Sequence, residues 1–345
     1  MNATFQKYIL QFKQASGTSR GILKTKETYF LKITDGVKFG IGECAVFRGL
    51  SVDDVPNYEE KLQWLCNHMN DNINVLWSEL TEFPSIQFGL EQAMLSFQSN
   101  NPVELFPSKF TQSKDAIAIN GLIWMGNKSF MKEQIKAKLK EEFTVIKMKI
   151  GAIDFDTEIE LLKSIRKEYS TNEIELRVDA NGAFHPNKAL EKLKRLSDFQ
   201  IHSIEQPIKQ GQLNEMSKLC AKTPIPIALD EELIGVFDVT KKKEMLQIIK
   251  PQYIILKPSL IGGFKGSQEW INLAEKQQIG WWITSALESN IGLNAIAQWT
   301  YSLQTKMPQG LGTGSLFTNN IESPLEVKNG SLYYNNTKNW NFNIL

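Results

Sequence analysis

The stretch "TVIKMKIG", residues 144 to 151, places two lysines one residue apart in an otherwise apolar run. Lysine is depleted in β-strands and is rarely buried without a partner. Successive side chains of a strand point to opposite faces, so Ile146, Met148 and Ile150 share an apolar face. Lys147 and Lys149 then share the other face. Two lysines on the inner face of a buried strand predict a functional site.

Similar short apolar segments alternate with amphipathic helical stretches from residue 116 onward. The eight strand candidates are "AIAINGLIW", "VIKMKIG", "IELRVDAN", "IHSIEQPI", "IPIALDEE", "YIILKPS", "WWITSALES" and "GLGTGSLF". Polar residues at their ends, from Lys149 and Asp179 onward, recur every 25 to 30 residues. One strand and one helix fill that interval, which is typical of βα units with a parallel sheet. Eight such strands predict a closed barrel.

The first hundred residues have a different pattern. Two strand patterns flank the turn residues Asp35 and Gly36, which indicates a β-hairpin. From Asp53 to about Ser99 the pattern is helical. We therefore predict an α+β domain over residues 1–110, a barrel domain over 111–316, and a tail over 317–345 that packs back on the first domain.

Composition limits the partners of the chain. The net charge of 345 residues is +1, so there is no overall field to attract nucleic acid or an anionic membrane. No apolar run approaches the ~18 residues of a membrane span, and the first residues lack the pattern of a signal peptide. The three cysteines form neither a metal motif nor a disulfide framework. We expect a cytoplasmic enzyme with no nucleic-acid or membrane partner.

The inward charged residues all fall near the carboxyl ends of their predicted strands. In barrel enzymes that end carries the active site. Each residue alone has an ordinary explanation, since Asp179 could be a turn former or helix cap and Lys257 a surface lysine. Together the set predicts an active site. Its members are Lys147, Lys149, Asp179, Glu205, Asp230 and Lys257.

Three of these residues predict a metal site. Asp179, Glu205 and Asp230 end consecutive strands, which lie roughly 4.8 Å apart. Their mutual repulsion would be costly without a cation among them. No cysteine or histidine joins them, and an all-oxygen set favours Mg²⁺, with Mn²⁺ possible, over Zn²⁺.

Such a site suits proton abstraction next to a carboxylate. A divalent metal bound by the substrate carboxylate stabilises the negative charge of an enediolate. A lysine base must be neutral, and a neighbouring lysine lowers its pKa by like-charge repulsion. Lys149, nearer the strand end, is the predicted base, and Lys147 is its electrostatic neighbour. Lys257 ends the sixth strand, diametrically opposite.

This arrangement of residues resembles the enolase superfamily, and more narrowly its muconate-lactonizing-enzyme subgroup. The likeness covers nearly the whole chain. It implies an α/β fold, a modified TIM barrel of the (β/α)₇β type with an α+β capping domain. It also implies Mg²⁺ dependence and a small-molecule carboxylate substrate, with Lys257 close to the charge that develops on that substrate.

A narrower likeness, to dehydratases of this subgroup, is carried by segments in both domains. They are "TSRGILKTKETYFLKI", "GIGECAVFRGLS", "INGLIWMG", "SALESNIGLNAIAQ" and "GLGTGSLF". A racemase or dipeptide epimerase remains an alternative, because opposed lysines serve both chemistries. Dipeptide epimerases carry an Asp-x-Asp on strand eight, where this chain has Gly312-Thr313-Gly314. A non-catalytic barrel would have lost one of the central residues, and none is missing.

Further residues are predicted to contact the substrate. They are Ser285, Gly312, Thr313, Arg177, Asn181 and Arg20. Arg177 could instead pair with a metal-ligand carboxylate, and the glycines around Thr313 could instead form a tight turn that closes the barrel.

Overall fold

The computed structural model describes residues 1–18 and 21–342. Its first unit is an antiparallel sheet in the order β1-β2-β3, followed by three helices. The elements are β1 (Asn2–Thr18), β2 (Gly21–Thr34), β3 (Phe39–Cys44), α1 (Tyr58–Asn67), α2 (Ile73–Glu79) and α3 (Pro84–Gln98). Thr34 pairs with Phe39 across the Asp35-Gly36 turn, which confirms the predicted hairpin.

Close backbone contact joins this sheet to its longest helix. A Cβ atom built on Gly42 of β3 would lie 2.0 Å from the carbonyl oxygen of Gly89 in α3. A Cβ atom on Gly89 would lie 2.2 Å from Cys44 Sγ. Glycine at both positions therefore lets the helix lie directly on the strand, over an apolar core that includes Leu31 and Leu62.

The second unit is a parallel sheet of seven strands in the order β11-β10-β9-β8-β7-β6-β5. Its strands are β5 (Gly121–Ile123), β6 (Val145–Lys149), β7 (Glu175–Asp179), β8 (Ser203–Glu205), β9 (Ile227–Leu229), β10 (Tyr253–Leu256) and β11 (Gly280–Ile283). Its helices are α4 (Lys128–Lys140), α5 (Phe155–Glu168), α6 (Pro186–Ser197), α7 (Leu213–Lys222), α8 (Val239–Ile249), α9 (Pro258–Ile261), α10 (Gly263–Lys276) and α11 (Asn290–Ser302). The alternation agrees with the predicted modified TIM barrel.

Successive side chains of the barrel strands point to opposite faces of the sheet, as the period of two requires. Ile146, Met148 and Ile150 are buried in the large core beneath the helices. Ala228, Ile255 and Trp282 form a separate apolar cluster. The apolar face predicted for "TVIKMKIG" is confirmed.

Two of the predicted strands differ in detail. "AIAINGLIW" is split into β4 (Ala116–Ala118) and β5, because β4 pairs outside the barrel. "GLGTGSLF" contains no continuous strand. The barrel closes through single bridges of Gln309 to Ile119 and of Gly310 to Thr284. Glycine residues weaken the hydrogen-bonded pairing of a strand with its neighbours. A 3₁₀ turn follows at Gly314–Leu316, so the predicted strand does not continue.

The tail contacts both units. Its hairpin of β12 (Leu325–Lys328) and β13 (Ser331–Tyr334) pairs with β4. Toward the first unit, Phe317 bridges Phe12, and Tyr8 donates a hydrogen bond to the Asn319 carbonyl at 2.7 Å. No helix among the described residues is both long and apolar enough to cross a bilayer.

Candidate active site

The strand register brings the predicted charged residues to one end of the barrel. Lys149 of β6 pairs with Asp179 of β7, and Asp179 pairs with Glu205 of β8. Asp230 directly follows β9, and Lys257 directly follows β10. Since β6 and β10 are four strands apart in the sheet order, Lys149 and Lys257 face each other across the barrel mouth.

Lysines and carboxylates form a closed ion-pair cluster there. Lys147 Nζ lies 2.5 Å from Glu205 Oε2 and 3.2 Å from Asp179 Oδ2. Lys149 Nζ lies 2.9 Å from Asp179 Oδ2, and Lys257 pairs with Asp230. No side chain of the cluster is more than 12% exposed. Three lysine amines thus lie among three buried carboxyl groups.

Burial and pairing compete in setting the charges of this cluster. Burial alone would raise the pKa of Asp179, but Lys149 and Lys147 outweigh it and hold that pKa well below its usual range. Burial alone would lower the pKa of Lys147, but Glu205 and Asp179 outweigh it and raise that pKa. Burial, together with Glu231 and Glu205, raises the pKa of Asp230. Lys147 is therefore charged beside Lys149, and its predicted influence on Lys149 stays a prediction.

Asn181 holds the amine of Lys149 in place. Its Oδ1 accepts a hydrogen bond from Lys149 Nζ at 2.7 Å, and its Nδ2 donates to Glu231 Oε1 at 3.0 Å. The backbone of Asn181 has a φ of +43°, a region that asparagine tolerates better than most residues. This conformation turns the chain directly after Asp179, so that Asn181 contacts the predicted base rather than solvent.

The acidic residues have the donor chemistry of a Mg²⁺ site. Across residues 1–18 and 21–342, no three acidic, histidine or cysteine side chains converge to metal-ligand spacing, and lysine amines lie between these carboxylates. Glu205 Oε1 is buried without a hydrogen-bond partner and lies 3.9 Å from Lys257 Nζ. An oxygen-only donor set with an unpaired buried oxygen fits a hard divalent cation.

A cavity of about 310 Å³ opens above the cluster. The barrel contributes Lys147, Lys149, Asp179, Asn181, Lys257, Ser285, Gly312 and Thr313 to its lining. The first unit contributes Leu23, Phe47 and Leu50, which form an apolar wall. Polar groups at the base and apolar groups above are typical of a small-molecule site.

One buried glutamate organises the strand ends opposite Lys149. Glu288 Oε2 accepts hydrogen bonds from Ser285 Oγ at 2.6 Å and from the Ala286 N–H at 2.8 Å. Its Oε1 accepts from Ser259 Oγ at 2.5 Å. Thr313 Oγ1 donates to Ser285 Oγ at 2.8 Å. The loops after β10 and β11 and the start of the 3₁₀ turn are thereby tied together, and Ser285 and Thr313 face the cavity as a pair.

Two predicted substrate contacts are not placed in the cavity. The side chain of Arg177 donates to Glu175 Oε1 at 2.7 Å and to the Pro308 carbonyl at 3.0 Å, and it stacks on Trp282. Arg177 precedes Asp179 by two residues on the same face of β7, so it lies deeper in the barrel. Its side chain does not line the cavity, and its ion pair is with Glu175 rather than with a proposed metal ligand. Arg20 lies outside the described residues.

Several functional candidates were missed by the sequence analysis. Lys149 Nζ lies 5.9 Å from the ring centroid of Trp124, which lines the cavity. Glu43 of β3 accepts hydrogen bonds from Ser289 and Gly292 at the start of α11. The position of Trp124 at the end of "GLIW" was a usable signal. Glu43 lies within "GIGECAVFRGLS", but no local pattern assigned it a role, because its barrel partners Ser289 and Gly292 lie more than two hundred residues away in the chain.

Comparisons with known proteins give the family of the chain. The model of the enolase C-terminal domain-like family matches residues 130–337. The chain is 47% identical to the o-succinylbenzoate synthase of Desulfotalea psychrophila, over 96% of this chain and 98% of that protein. The crystal structure of MenC from the same organism superposes with a TM-score of 0.86 at 43% identity, covering 96% of this chain and 99% of that one.

A more distant structure shows the same fold. The muconate lactonizing enzyme from Pseudomonas fluorescens, complexed with muconolactone, is 20% identical, with a TM-score of 0.82. That comparison covers 98% of this chain and 96% of the other. The modified TIM barrel with a capping domain is thereby confirmed.

Proposed function

The chain belongs to the enolase C-terminal domain-like family, and from that premise we propose that it acts as an o-succinylbenzoate synthase. The enzyme is a carbon–oxygen lyase of the enolase superfamily. It removes water from 2-succinyl-6-hydroxy-2,4-cyclohexadiene-1-carboxylate to give 2-succinylbenzoate, a step of menaquinone biosynthesis. The observation that carries this function is the identity of 47% over nearly the full length of both chains.

Lys149 is the proposed base. It takes the proton from the carbon that bears the ring carboxylate, and the electron pair of that C–H bond moves onto the carboxylate, which becomes an enediolate. That pair then returns to form the new ring double bond. The C–O bond to the hydroxyl group then breaks, and the protonated Lys149 gives its proton to the departing oxygen. One lysine on one face of the ring serves both steps, because the product is aromatic and its formation is downhill.

Asp179, Glu205 and Asp230 are the proposed ligands of Mg²⁺. When bound, the ion supplies positive charge that stabilises the negative charge building up on the substrate carboxylate. The unpaired Glu205 Oε1 supports this assignment. Lys147 is proposed to keep a positive charge beside Lys149, and Lys257 to face the ring from the other side of the mouth.

The remaining polar groups are proposed to orient the substrate. Ser285 and Thr313 form a hydroxyl pair at the cavity wall, supported by Glu288. Together with the backbone N–H groups beside Gly312, they are proposed to bind the succinyl carboxylate, with the Thr313 hydroxyl rotating away from Ser285 to donate to it. We further propose that residues 1–110 cap the barrel of residues 111–316, with Phe47 and Leu50 excluding water from the ring.

The test is dehydration of the cyclohexadiene carboxylate by the purified chain, with Mg²⁺ and after its removal by a chelator. Turnover that needs Mg²⁺ and returns on adding it supports the proposal. No turnover at any Mg²⁺ concentration overturns it. Dipeptides and N-acylamino acids serve as comparison substrates, because opposed lysines also suit racemisation. Turnover of those alone would assign the chain to that chemistry instead.

A further inference from the structure

Gln206 is a buried side chain in the strand-end region that the proposed mechanism does not use. It directly follows Glu205 and is 0% exposed. Its φ of +37° lies in the left-handed region, where a glutamine is uncommon. A buried amide in an unfavourable backbone conformation persists only when its surroundings hold it firmly.

All the hydrogen-bonding capacity of this amide is used. Its Oε1 accepts from the Asp230 N–H at 3.2 Å and from the Glu232 N–H at 3.3 Å. Its Nε2 donates to the Ile208 carbonyl and to Glu232 Oε2, both at 3.0 Å. A glutamine amide offers two acceptor and two donor positions, so none is left over.

These hydrogen bonds fix the backbone at Asp230, the third carboxylate of the site. Asp230 begins a 3₁₀ turn at Glu231–Leu233, and the first N–H groups of such a turn have no partner within it. Gln206 Oε1 satisfies two of them, including the N–H of Asp230 itself. The orientation of the Asp230 side chain toward Lys257 therefore depends on an acceptor supplied by the neighbouring strand.

The main chain of Gln206 bonds to the segment that follows β7, the strand that ends in Asp179. Its carbonyl accepts from the Gly182 N–H at 2.7 Å, just beyond Asp179, and its own N–H donates to the Ala228 carbonyl at 2.9 Å. Gln206 thus contacts the ends of all three strands that carry Asp179, Glu205 and Asp230. No other reason for burying this amide is evident from its contacts.

We propose that Gln206 is a positioning residue for the metal site, holding the three carboxylates in register. The inference rests on the proposed function, since it assumes that these carboxylates bind Mg²⁺. Hydrogen-bond partners that orient metal ligands commonly account for about 10- to 100-fold in metal affinity. Removing the amide should therefore weaken Mg²⁺ binding by about 10- to 100-fold.

The experiment is a calorimetric titration of Mg²⁺ into the full-length wild type and three variants. Gln206→Met removes every amide hydrogen bond without adding charge. Gln206→Glu keeps an acceptor for the Asp230 and Glu232 N–H groups. Gln298→Met is the matched control, because Gln298 is equally buried on α11 and its amide bonds only Phe106, Val103 and Asn294.

The expected result has three parts. Gln206→Met binds Mg²⁺ more weakly, and Gln298→Met is unchanged. Gln206→Glu also binds Mg²⁺ more weakly, but less so than Gln206→Met, because it keeps the acceptor and replaces the donor to the Ile208 carbonyl and Glu232 Oε2 by an oxygen. Excess Mg²⁺ should also restore the turnover number of Gln206→Met, which a general loosening of the fold would not allow. If Gln206→Met fails to fold, wild-type Mg²⁺ affinity in Gln206→Glu, which lacks the amide donor, overturns the inference by itself.

Two results overturn the inference. One is wild-type Mg²⁺ affinity in both Gln206 variants. The other is equal weakening in Gln206→Met and Gln298→Met. A wild type that binds no Mg²⁺ refutes the proposed metal function itself, and the inference falls with it, so the two failures are distinguishable.

Discussion

Glu43 joins the capping unit to the barrel, and its replacement by glutamine should weaken that junction. Its carboxylate is fully buried and accepts four hydrogen bonds. Oε1 accepts from Thr28 Oγ1 at 2.8 Å and from the Ser289 N–H at 2.9 Å. Oε2 accepts from Ser289 Oγ at 2.6 Å and from the Gly292 N–H at 2.8 Å. Ser289 caps α11, so the carboxylate also faces the positive end of a helix.

The geometry sets the size of the effect. Whichever oxygen becomes an amide nitrogen, one backbone N–H, of Ser289 or of Gly292, loses its acceptor, whereas a hydroxyl can rotate and accept instead. A buried unpaired N–H costs about 1–3 kcal/mol, and the lost charge at the helix terminus adds up to about 2 kcal/mol. Glu43→Gln should therefore lower the free energy of unfolding by about 1–5 kcal/mol.

Urea denaturation, followed by circular dichroism, measures this loss. Glu173→Gln is the matched control, because Glu173 accepts the N–H and the hydroxyl of one serine, Ser170, at 2.8 and 2.7 Å on the exposed surface. Its free energy of unfolding should stay close to that of the wild type. Equal stability of the two variants would refute the reasoning that burial at the domain junction makes Glu43 important.

Three other perturbations probe separate features. Asp230→Asn removes one proposed ligand charge and should abolish Mg²⁺ binding by calorimetry; binding as tight as that of the wild type would contradict the ligand assignment. Gly42→Ala places a Cβ 2.0 Å from the Gly89 carbonyl oxygen, and should lower the free energy of unfolding by about 1–3 kcal/mol; an unchanged urea midpoint would argue against that contact. Burial lowers the pKa of Lys26, whose amine has no hydrogen-bond partner in the described chain. Between that lowered pKa and the usual 10.5 the unfolded chain binds more protons, so wild-type stability relative to Lys26→Met should rise with pH, and a difference that stays flat in urea titrations would contradict this sign.

Much of the active site could be predicted from the sequence because it follows from two simple regularities. The period of two assigned Lys147 and Lys149 to the interior, and the recurring strand ends placed Asp179, Glu205 and Asp230 at one level. The strand register pairs Lys149 with Asp179 and Asp179 with Glu205, whereas Asp230 lies two residues beyond Ala228, the partner of Glu205. These inferences use only local pattern and the closure of a barrel.

What the sequence could not supply depends on contacts distant along the chain. Arg177 occupies an inward position, but the direction of its long side chain depends on Glu175 and Trp282, which the strand pattern does not reveal. Glu43 lies in the first unit, far from the barrel residues in sequence, yet it is buried against α11. The eighth strand was predicted from "GLGTGSLF", but the closing bridges fall only at its first residue, Gly310, and at Gln309 before it, because the rest of the glycine-rich segment turns away.

Lys149 carries the central claim, that one lysine removes the proton next to the substrate carboxylate and completes the dehydration. The direct measurement is turnover of the cyclohexadiene carboxylate by Lys149→Ala at saturating Mg²⁺, with the fold checked by circular dichroism. Lys188→Ala, which changes an exposed lysine paired with Glu191, is the control. We predict that turnover falls by about 100- to 10,000-fold in Lys149→Ala and stays at the wild-type rate in the control. Wild-type turnover in a folded Lys149→Ala would contradict the mechanism.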